Sequence, residues 1–221
     1  MSPGPRRQAQ RRAERNRRQR RRGRREMMTE VLPDLFHWHV MWPEYRLESY
    51  WLRTESGSVL IDPLEGEGLG VIAQAGDCRA VVVTNGWHER SALLFAKRTG
   101  APIYVPAGHE QLLELVKSFH AYQDGDELPC GLQAIWVKET EFGECALLSE
   151  VHGGTLFVGD ALGTTAKWTP GGIPLGLHPS AKGSPAEVLG HLLEREFQNL
   201  FPAHGPGLIG DGKTKLEALI S

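Results

Sequence analysis

The loop that follows one apolar segment carries three side chains suited to hydrolytic chemistry. Residues 80–83 form an apolar run typical of a buried strand, and the sequence TNGWHER follows at residues 84–90. His88 is the only side chain of this loop that titrates near neutral pH, so it could act as a general base. Glu89 could activate a water molecule, and Arg90 could stabilise a developing oxyanion. His88, Glu89 and Arg90 could therefore form a catalytic group. His88 could also be a displaced metal ligand, and the favoured interpretation is a solvent-exposed loop histidine.

Three further residues are candidates for the same cleft. Asp160 directly follows the apolar segment LFVG, and His204 ends the segment FPAH. For Asp160 the alternative is a structural hydrogen-bond acceptor. Trp168 lies in a Gly/Pro-rich segment at residues 163–184, and loops of that length often serve as lids or binding loops. Trp168 could therefore cover a pocket beside Asp160 or anchor the loop to the core.

His37 and His39 alternate with Trp38 in an aromatic-rich run, so both face one side of a predicted strand. They could form a metal-binding pair. The favoured interpretation is a half-exposed face of the sheet.

Short apolar runs separated by turn signals predict the elements that must position these residues. Strands are predicted near residues 132–137, 144–149 and 155–158, and helices near residues 90–98, 108–119 and 213–220. Ser184 and Pro185 are typical of a helix N-cap followed by its first turn. Strands alternate with helices after residue 58, whereas the first and middle segments are β-rich. This order predicts an α+β fold, a four-layer αββα sandwich with two mixed sheets covered by outer helices.

The charge is divided unevenly along the 221 residues. The net charge is −2, but residues 1–30 contain twelve Arg and three Glu, so the rest has thirteen Lys and Arg against twenty-four Asp and Glu. We expect residues 1–28 to be a disordered Arg-rich tail, because they cannot bury enough apolar surface, and residues 29–221 to fold as one domain. The tail could bind nucleic acid through residues 6–25. The alternative is a reading frame that begins at Met27 or Met28.

The cysteine pattern and the hydropathy of the chain indicate the cellular compartment to expect. Cys78, Cys130 and Cys145 are isolated and odd in number, which argues against a disulfide framework and favours a reducing compartment. No run approaches 18 consecutive apolar residues, and no apolar segment follows the Arg pairs as an export signal requires. We therefore expect a cytoplasmic protein without a membrane segment.

Taken in order, several segments resemble the metallo-β-lactamase superfamily over roughly residues 29–220. TEVLPDLFHWHV, ESYWLR and VLIDP resemble its N-terminal meander, and TNGWHER falls at its metal loop, Thr-His-x-His-x-Asp-His. DGDEL precedes the middle strands as in many members. LFVGDAL matches the segment of the bridging aspartate, at Asp160, and FPAHG matches the final histidine, at His204. The resemblance implies the four-layer fold and makes Asp62 a structural carboxylate that braces the metal loop.

Most of the metal positions that the resemblance implies are changed in this chain. The family binds two zinc ions through histidines and aspartates, whereas the corresponding residues here are Asn85, Trp87, Glu89, Arg90, Thr140 or Glu141, Asp160 and His204. An amide and an indole cannot replace imidazoles, so we expect the zinc pair to be lost. Glu89, Asp160 and His204 could still form a weak single-metal site. The Arg90 guanidinium would replace the charge of the metal and pair with Asp160 or Glu89.

These changes favour a pseudoenzyme over a zinc hydrolase. A cleft formed by Asn85, Trp87, Asp160, His204 and Trp168 would bind a small anionic ligand, since Arg90 suits a carboxylate or phosphate. No cofactor is expected on this interpretation, and a single zinc or other divalent cation is the alternative. The first alternative function is a divergent hydrolase of esters, thioesters or phosphodiesters with a mononuclear or metal-free site. The second is a nucleic-acid-associated protein that acts through its basic tail.

Overall fold

The computed structural model describes residues 28–42, 45–66, 68–109, 119–138, 140, 143–164, 175–179 and 181–221. The Arg-rich tail, most of the helix predicted near residues 108–119, and the positions of Glu141 and Trp168 lie outside the described residues. The predictions about them stay predictions.

Among the described residues, the first sheet has seven strands that lie side by side in chain order. They are β1 (Thr29–Leu32), β2 (Leu35–Trp42), β3 (Tyr45–Thr54), β4 (Gly57–Ile61), β5 (Cys78–Val82), β6 (Ile103–Pro106) and β7 (Phe119–Tyr122). Strands β1–β4 pair antiparallel, as strands joined by short turns can. Strands β4–β7 pair in parallel, so their carboxyl ends lie at one edge of the sheet.

In the part of the chain that the structure describes, the second sheet has five strands in the order β14-β11-β10-β9-β8. They are β8 (Glu127–Leu128), β9 (Leu132–Val137), β10 (Glu144–Ser149), β11 (Thr155–Val158) and β14 (Asn199–Pro202). Only β14 joins its neighbour, β11, in parallel; the other neighbours are antiparallel. The short strands β12 (Leu162–Gly163) and β13 (Gly176–Leu177) form a separate pair. Strands β9–β11 confirm the three predicted middle strands.

The described helices are α1 (Leu69–Ala75), α2 (Ala92–Thr99), α3 (Pro185–Leu189) and α4 (Gly212–Ile220). Ser184 caps α3 as predicted: its hydroxyl accepts the Glu187 N–H, and the Glu187 carboxylate accepts the Ser184 N–H. Helix α2 ends at Gly100, whose φ of 76° closes the last turn. Helix α1 was not predicted, because only Ile72 of its seven residues is buried and it shows no apolar stripe.

Three apolar clusters define the layers. Between the sheets lies a cluster that includes Tyr50, Leu52, Ile61, Leu147, Phe157 and Phe201. The outer face of the first sheet packs on α1 and α2 through Trp51, Leu60, Ile72 and Phe95. The outer face of the second packs on α3 and α4 through Ile135, Leu156, Val188 and Leu216. The order helix–sheet–sheet–helix confirms the predicted αββα sandwich. No helix among the described residues is long and apolar enough to cross a membrane.

Candidate functional site

Four strand ends bring the polar residues of the candidate site together. Asp62 follows β4 and the loop with His88 follows β5, and these parallel neighbours end at one edge of the first sheet. Asp160 follows β11 and His204 follows β14, which are parallel neighbours in the second sheet. The carboxyl ends of parallel strands share one edge, where ligand sites of open sheets commonly lie. The site therefore forms where the edges of both sheets meet.

His88 lies between two carboxylates. Its Nδ1 is 2.8 Å from Asp62 Oδ2, and its Nε2 is 3.0 Å from Asp160 Oδ1. Thr84 holds Asp62 by donating its N–H to Oδ1 at 2.8 Å and its hydroxyl to Oδ2 at 2.6 Å. Burial and the charge of Arg90 lower the pKa of His88, but Asp160 and Asp62 outweigh them and raise it to about 9. Without a metal, this shift favours the protonated form of His88 at neutral pH.

Asp160 is the centre of the cluster. Its Oδ1 lies 2.7 Å from His204 Nε2, and its Oδ2 accepts a hydrogen bond from Asn85 Nδ2 at 3.1 Å. Burial raises the pKa of Asp160, but the charge of His88 and the hydrogen bonds from His204 and His88 hold it well below its usual range. Burial lowers the pKa of His204, so this histidine is neutral. Asp160 thus remains ionised, with Oδ1 turned toward two imidazole nitrogens.

Arg90 binds the main chain beside this cluster. Its backbone adopts a left-handed conformation with φ of 40°, and the residue is half-buried. Nη1 donates to the carbonyl oxygens of Glu48 and, at 3.1 Å, of Asp62. Nη2 lies 3.2 Å from His88 Nε2. The guanidinium therefore fixes two strands of the first sheet and adds a positive charge next to His88.

Glu144 is a buried acid that the sequence did not single out. It lies at the start of β10, and its Oε2 accepts the N–H groups of Asp160 at 2.7 Å and Ala161 at 2.9 Å. Burial, and then the charge of Asp160, raise the pKa of Glu144 to about 8. A Glu that opens an apolar strand gives no sequence signal, because an exposed strand end explains it equally well. Glu144 positions the turn that carries Asp160.

The structure divides the predicted site residues into two groups. Asn85, Arg90, Asp160 and His204 gather around His88, whereas Trp87 is 72% exposed and Glu89 is also exposed. The sequence placed Glu89 in the single-metal set, and the structure instead places His88 beside Asp160. The reason is a turn in which the His88 N–H binds the Asn85 carbonyl at 3.1 Å. The sequence favoured a solvent-exposed histidine at this position, and that prediction is wrong, because His88 is 4% exposed.

A sequence profile of the metallo-beta-lactamase superfamily matches residues 27–172. The chain belongs to this superfamily. No curated protein sequence matches it significantly.

Solved structures of the superfamily share the fold at low sequence identity. A metallo-beta-lactamase from Hirschia baltica is 14% identical, with 88% of this chain and 97% of that chain covered and a TM-score of 0.58. The DIM-1 metallo-beta-lactamase exposed to ceftazidime is 14% identical over 88% and 95%, with a TM-score of 0.65. The metallo-beta-lactamase FIM-1 from Pseudomonas aeruginosa, in its mono-zinc form, is 15% identical over 88% and 93%, with a TM-score of 0.60.

Three residues of the site could hold one metal ion. At the superfamily's loop positions, the Asn85 amide is already bound to Asp160, and Trp87 is largely in solvent. His88, Asp160 and His204 each offer one ligand atom, and these atoms lie within 4.8 Å of one another. Two imidazole nitrogens and one carboxylate oxygen are a common donor set for a divalent transition metal.

Proposed function

We propose that this chain binds one divalent cation through His88, Asp160 and His204, and that it hydrolyses an ester, thioester or phosphodiester as a mononuclear member of its superfamily. The observation that carries the proposal is the convergence of the three ligand atoms, with His88 Nδ1 held by the Asp62 carboxylate. Metal-binding histidines usually donate their second ring N–H to such a carboxylate, which fixes the tautomer and the ring orientation. Asp62 supplies that group here.

Neighbouring side chains prepare the three ligands. Asn85 occupies Asp160 Oδ2 and leaves Oδ1 toward the histidines. Burial keeps His204 neutral, as a ligand must be. A divalent cation held there would lower the pKa of a bound water toward about 7. Arg90 is anchored through Nη1, and its Nη2 lies at the cluster. The Nη2 N–H would donate a hydrogen bond to the negative charge that develops on a substrate oxygen.

One relative supports a single-ion interpretation. The FIM-1 structure was obtained in a mono-zinc form, so this fold accommodates one ion. In the present chain Arg90 adds a charge where the superfamily places a ligand, and a fixed cation there disfavours a second ion by repulsion.

The decisive experiment compares two substitutions. Zinc affinity is measured by competition with a chelating dye, together with hydrolysis of generic ester, thioester and phosphodiester substrates. We expect Asp160→Asn to abolish both tight binding at this site and metal-dependent turnover. Glu89→Gln is the matched control and should retain both, because Glu89 is exposed. If Glu89→Gln loses zinc and Asp160→Asn keeps it, the proposed ligand set is refuted.

A metal-free pseudoenzyme is the second candidate, and the charge balance of the cluster favours it. With a proton on His88, the charges of Asp62 and Asp160 are compensated by His88 and Arg90 without any metal. The cleft would then bind a small anionic ligand near Arg90. Thermal stabilisation by carboxylates or phosphates, in a protein that binds no zinc at Asp160, would favour this candidate. Nucleic-acid binding through residues 6–25 stays a prediction, tested by salt-sensitive RNA binding before and after removal of the tail.

A further inference from the structure

A second group of metal-binding side chains lies on the first sheet and shares no ligand with the site above. His37 and His39 stand two residues apart on β2, and Glu48 of β3 lies opposite His39. The two rings are stacked, with centroids 6.3 Å apart and planes 25° apart. One ligand atom from each of the three residues lies within 4.8 Å of the others. We infer that His37, His39 and Glu48, the strand site, bind a divalent transition-metal cation such as Zn²⁺.

Burial distinguishes the strand site from an ordinary polar sheet face. The sequence favoured a half-exposed face, but His39 is 3% exposed and Glu48 is fully buried. Burying a carboxylate is costly unless cations or hydrogen bonds compensate it. The His37 side chain keeps 19% exposure, which leaves the site accessible to an ion from solvent.

Neighbouring side chains hold the Glu48 carboxylate in the way in which a metal-binding carboxylate is commonly held. Arg46 Nε contacts Oε1, and Oε2 lies 3.2 Å from His37 Nδ1. An N–H···O hydrogen bond in a protein is about 2.7–3.2 Å long. Two ligands about 2.0–2.1 Å from a tetrahedral metal are separated by about 3.3–3.4 Å. The observed 3.2 Å fits a long hydrogen bond and also the separation of two ligand atoms, and Arg46 would be the outer partner that orients the carboxylate.

The donor set defines the ion. Two imidazole nitrogens with one carboxylate oxygen suit zinc and similar transition metals, whereas calcium and magnesium prefer oxygen ligands alone. Three protein ligands also leave one position of a tetrahedral ion for water. The Arg46 side chain is 29% exposed, so solvent screens part of its repulsion of the ion.

The strand site is connected to the first site through the main chain of β3. The Glu48 N–H donates to the Ala203 carbonyl at 2.8 Å, and the Glu48 carbonyl accepts from Arg90 Nη1. Leu47 also pairs with His204 through an isolated bridge. A cation on the Glu48 side chain would therefore fix the strand on which Arg90 and His204 rest.

The test measures zinc stoichiometry in the full chain by equilibrium dialysis and elemental analysis. The variants are His37→Gln at the strand site, Asp160→Asn at the first site, the double variant, and His120→Gln as an exposed control. We expect Asp160→Asn to retain one zinc that the double variant loses, and His120→Gln to match the wild type. The zinc retained by Asp160→Asn should also raise its Tm, and this rise should vanish in the double variant. Substitution with Co²⁺ should give a visible ligand-field spectrum in Asp160→Asn that His37→Gln removes.

The outcomes separate this inference from the proposed function. If the wild type binds one zinc that only His37→Gln removes, the strand site stands and the first site fails. If only Asp160→Asn removes zinc, or if His37→Gln leaves the stoichiometry unchanged, the strand site is refuted.

Discussion

The substitution Glu144→Gln should make the protein less sensitive to rising pH. Glu144 is fully buried, and its pKa rises from 4.5 to about 8, first through burial and then through Asp160. Folded protein therefore holds a proton between these pH values that unfolded protein releases. The resulting stabilisation is complete below pH 4.5 and is lost as the pH rises through about 8. Glutamine resembles the protonated acid and carries no such dependence.

The magnitude follows from the same pKa. Each pH unit between 4.5 and about 8 costs the wild type about 1.4 kcal/mol. Relative to the wild type, Glu144→Gln should gain about 3 kcal/mol in free energy of unfolding between pH 4.5 and 7, and about 4–5 kcal/mol by pH 8. Gln Oε1 can still accept the N–H groups of Asp160 and Ala161. A difference in hydrogen bonding that does not depend on pH shifts the free energy of unfolding of Glu144→Gln by a constant amount. It does not change how the difference from the wild type varies with pH.

Urea unfolding followed by tryptophan fluorescence at pH 5, 6, 7 and 8 measures this difference. EDTA must be present, because a cation at Asp160 would itself stabilise the Glu144 carboxylate. Glu150→Gln is the control, since Glu150 is exposed. A difference between wild type and Glu144→Gln that does not vary with pH would refute the reasoning, because it would mean that Glu144 ionises normally inside the fold.

Three further predictions concern the same network. Asp62→Asn removes the carboxylate at His88 Nδ1 and should weaken zinc binding at the first site about 10–100-fold. A chelator competition measures this affinity, and an unchanged value would show that Asp62 does not orient the ligand. The pKa of His88 is raised to about 9, and His88 must lose its proton to bind zinc. Calorimetry of zinc binding in several buffers should therefore detect the release of about one proton from His88 at pH 7, and of less above pH 9. Absence of release at pH 7 would contradict that pKa. Gly159→Ala would place its Cβ 2.7 Å from Thr84 Oγ1 and should cost about 1–3 kcal/mol of stability, whereas Gly190→Ala, with no atom within 4 Å, should not.

The sequence predicted the strand ends better than the loops between them. Strands β9–β11 were predicted because apolar runs bounded by turn residues have few alternative structures. Asp160 and His204 were candidates because each lies where the resemblance to the superfamily implies a metal ligand, and the structure brings Asp160 Oδ1 within 2.7 Å of His204 Nε2. The meeting of Asp160 and His204 depends on the order of the strands in the sheet. The order of the corresponding segments along the chain indicated that strand order.

The ligand in the loop and the buried acids were harder to identify for physical reasons. Whether His88 or Glu89 enters the site depends on one turn, and two adjacent residues of a turn project in different directions. The burial of Glu144 and Glu48 depends on the layers that cover them, and these layers come from distant parts of the chain. His39 was placed on a half-exposed face because strand periodicity gives the face of a side chain but not what covers that face.

Charge is the reason why we propose a single cation for this cluster and not a zinc pair. Asp62 and Asp160 are ionised, Glu144 is protonated at neutral pH, and Arg90 contributes one positive charge. The cluster without a proton on His88 therefore carries about one negative charge. A proton on His88 restores neutrality, and so does one divalent cation with a bound hydroxide. A second divalent ion would leave an uncompensated positive charge beside a fixed guanidinium in a buried site, which is costly. On the proposed function, Arg90 would limit the site to one ion, and the proton and the cation would compete for His88.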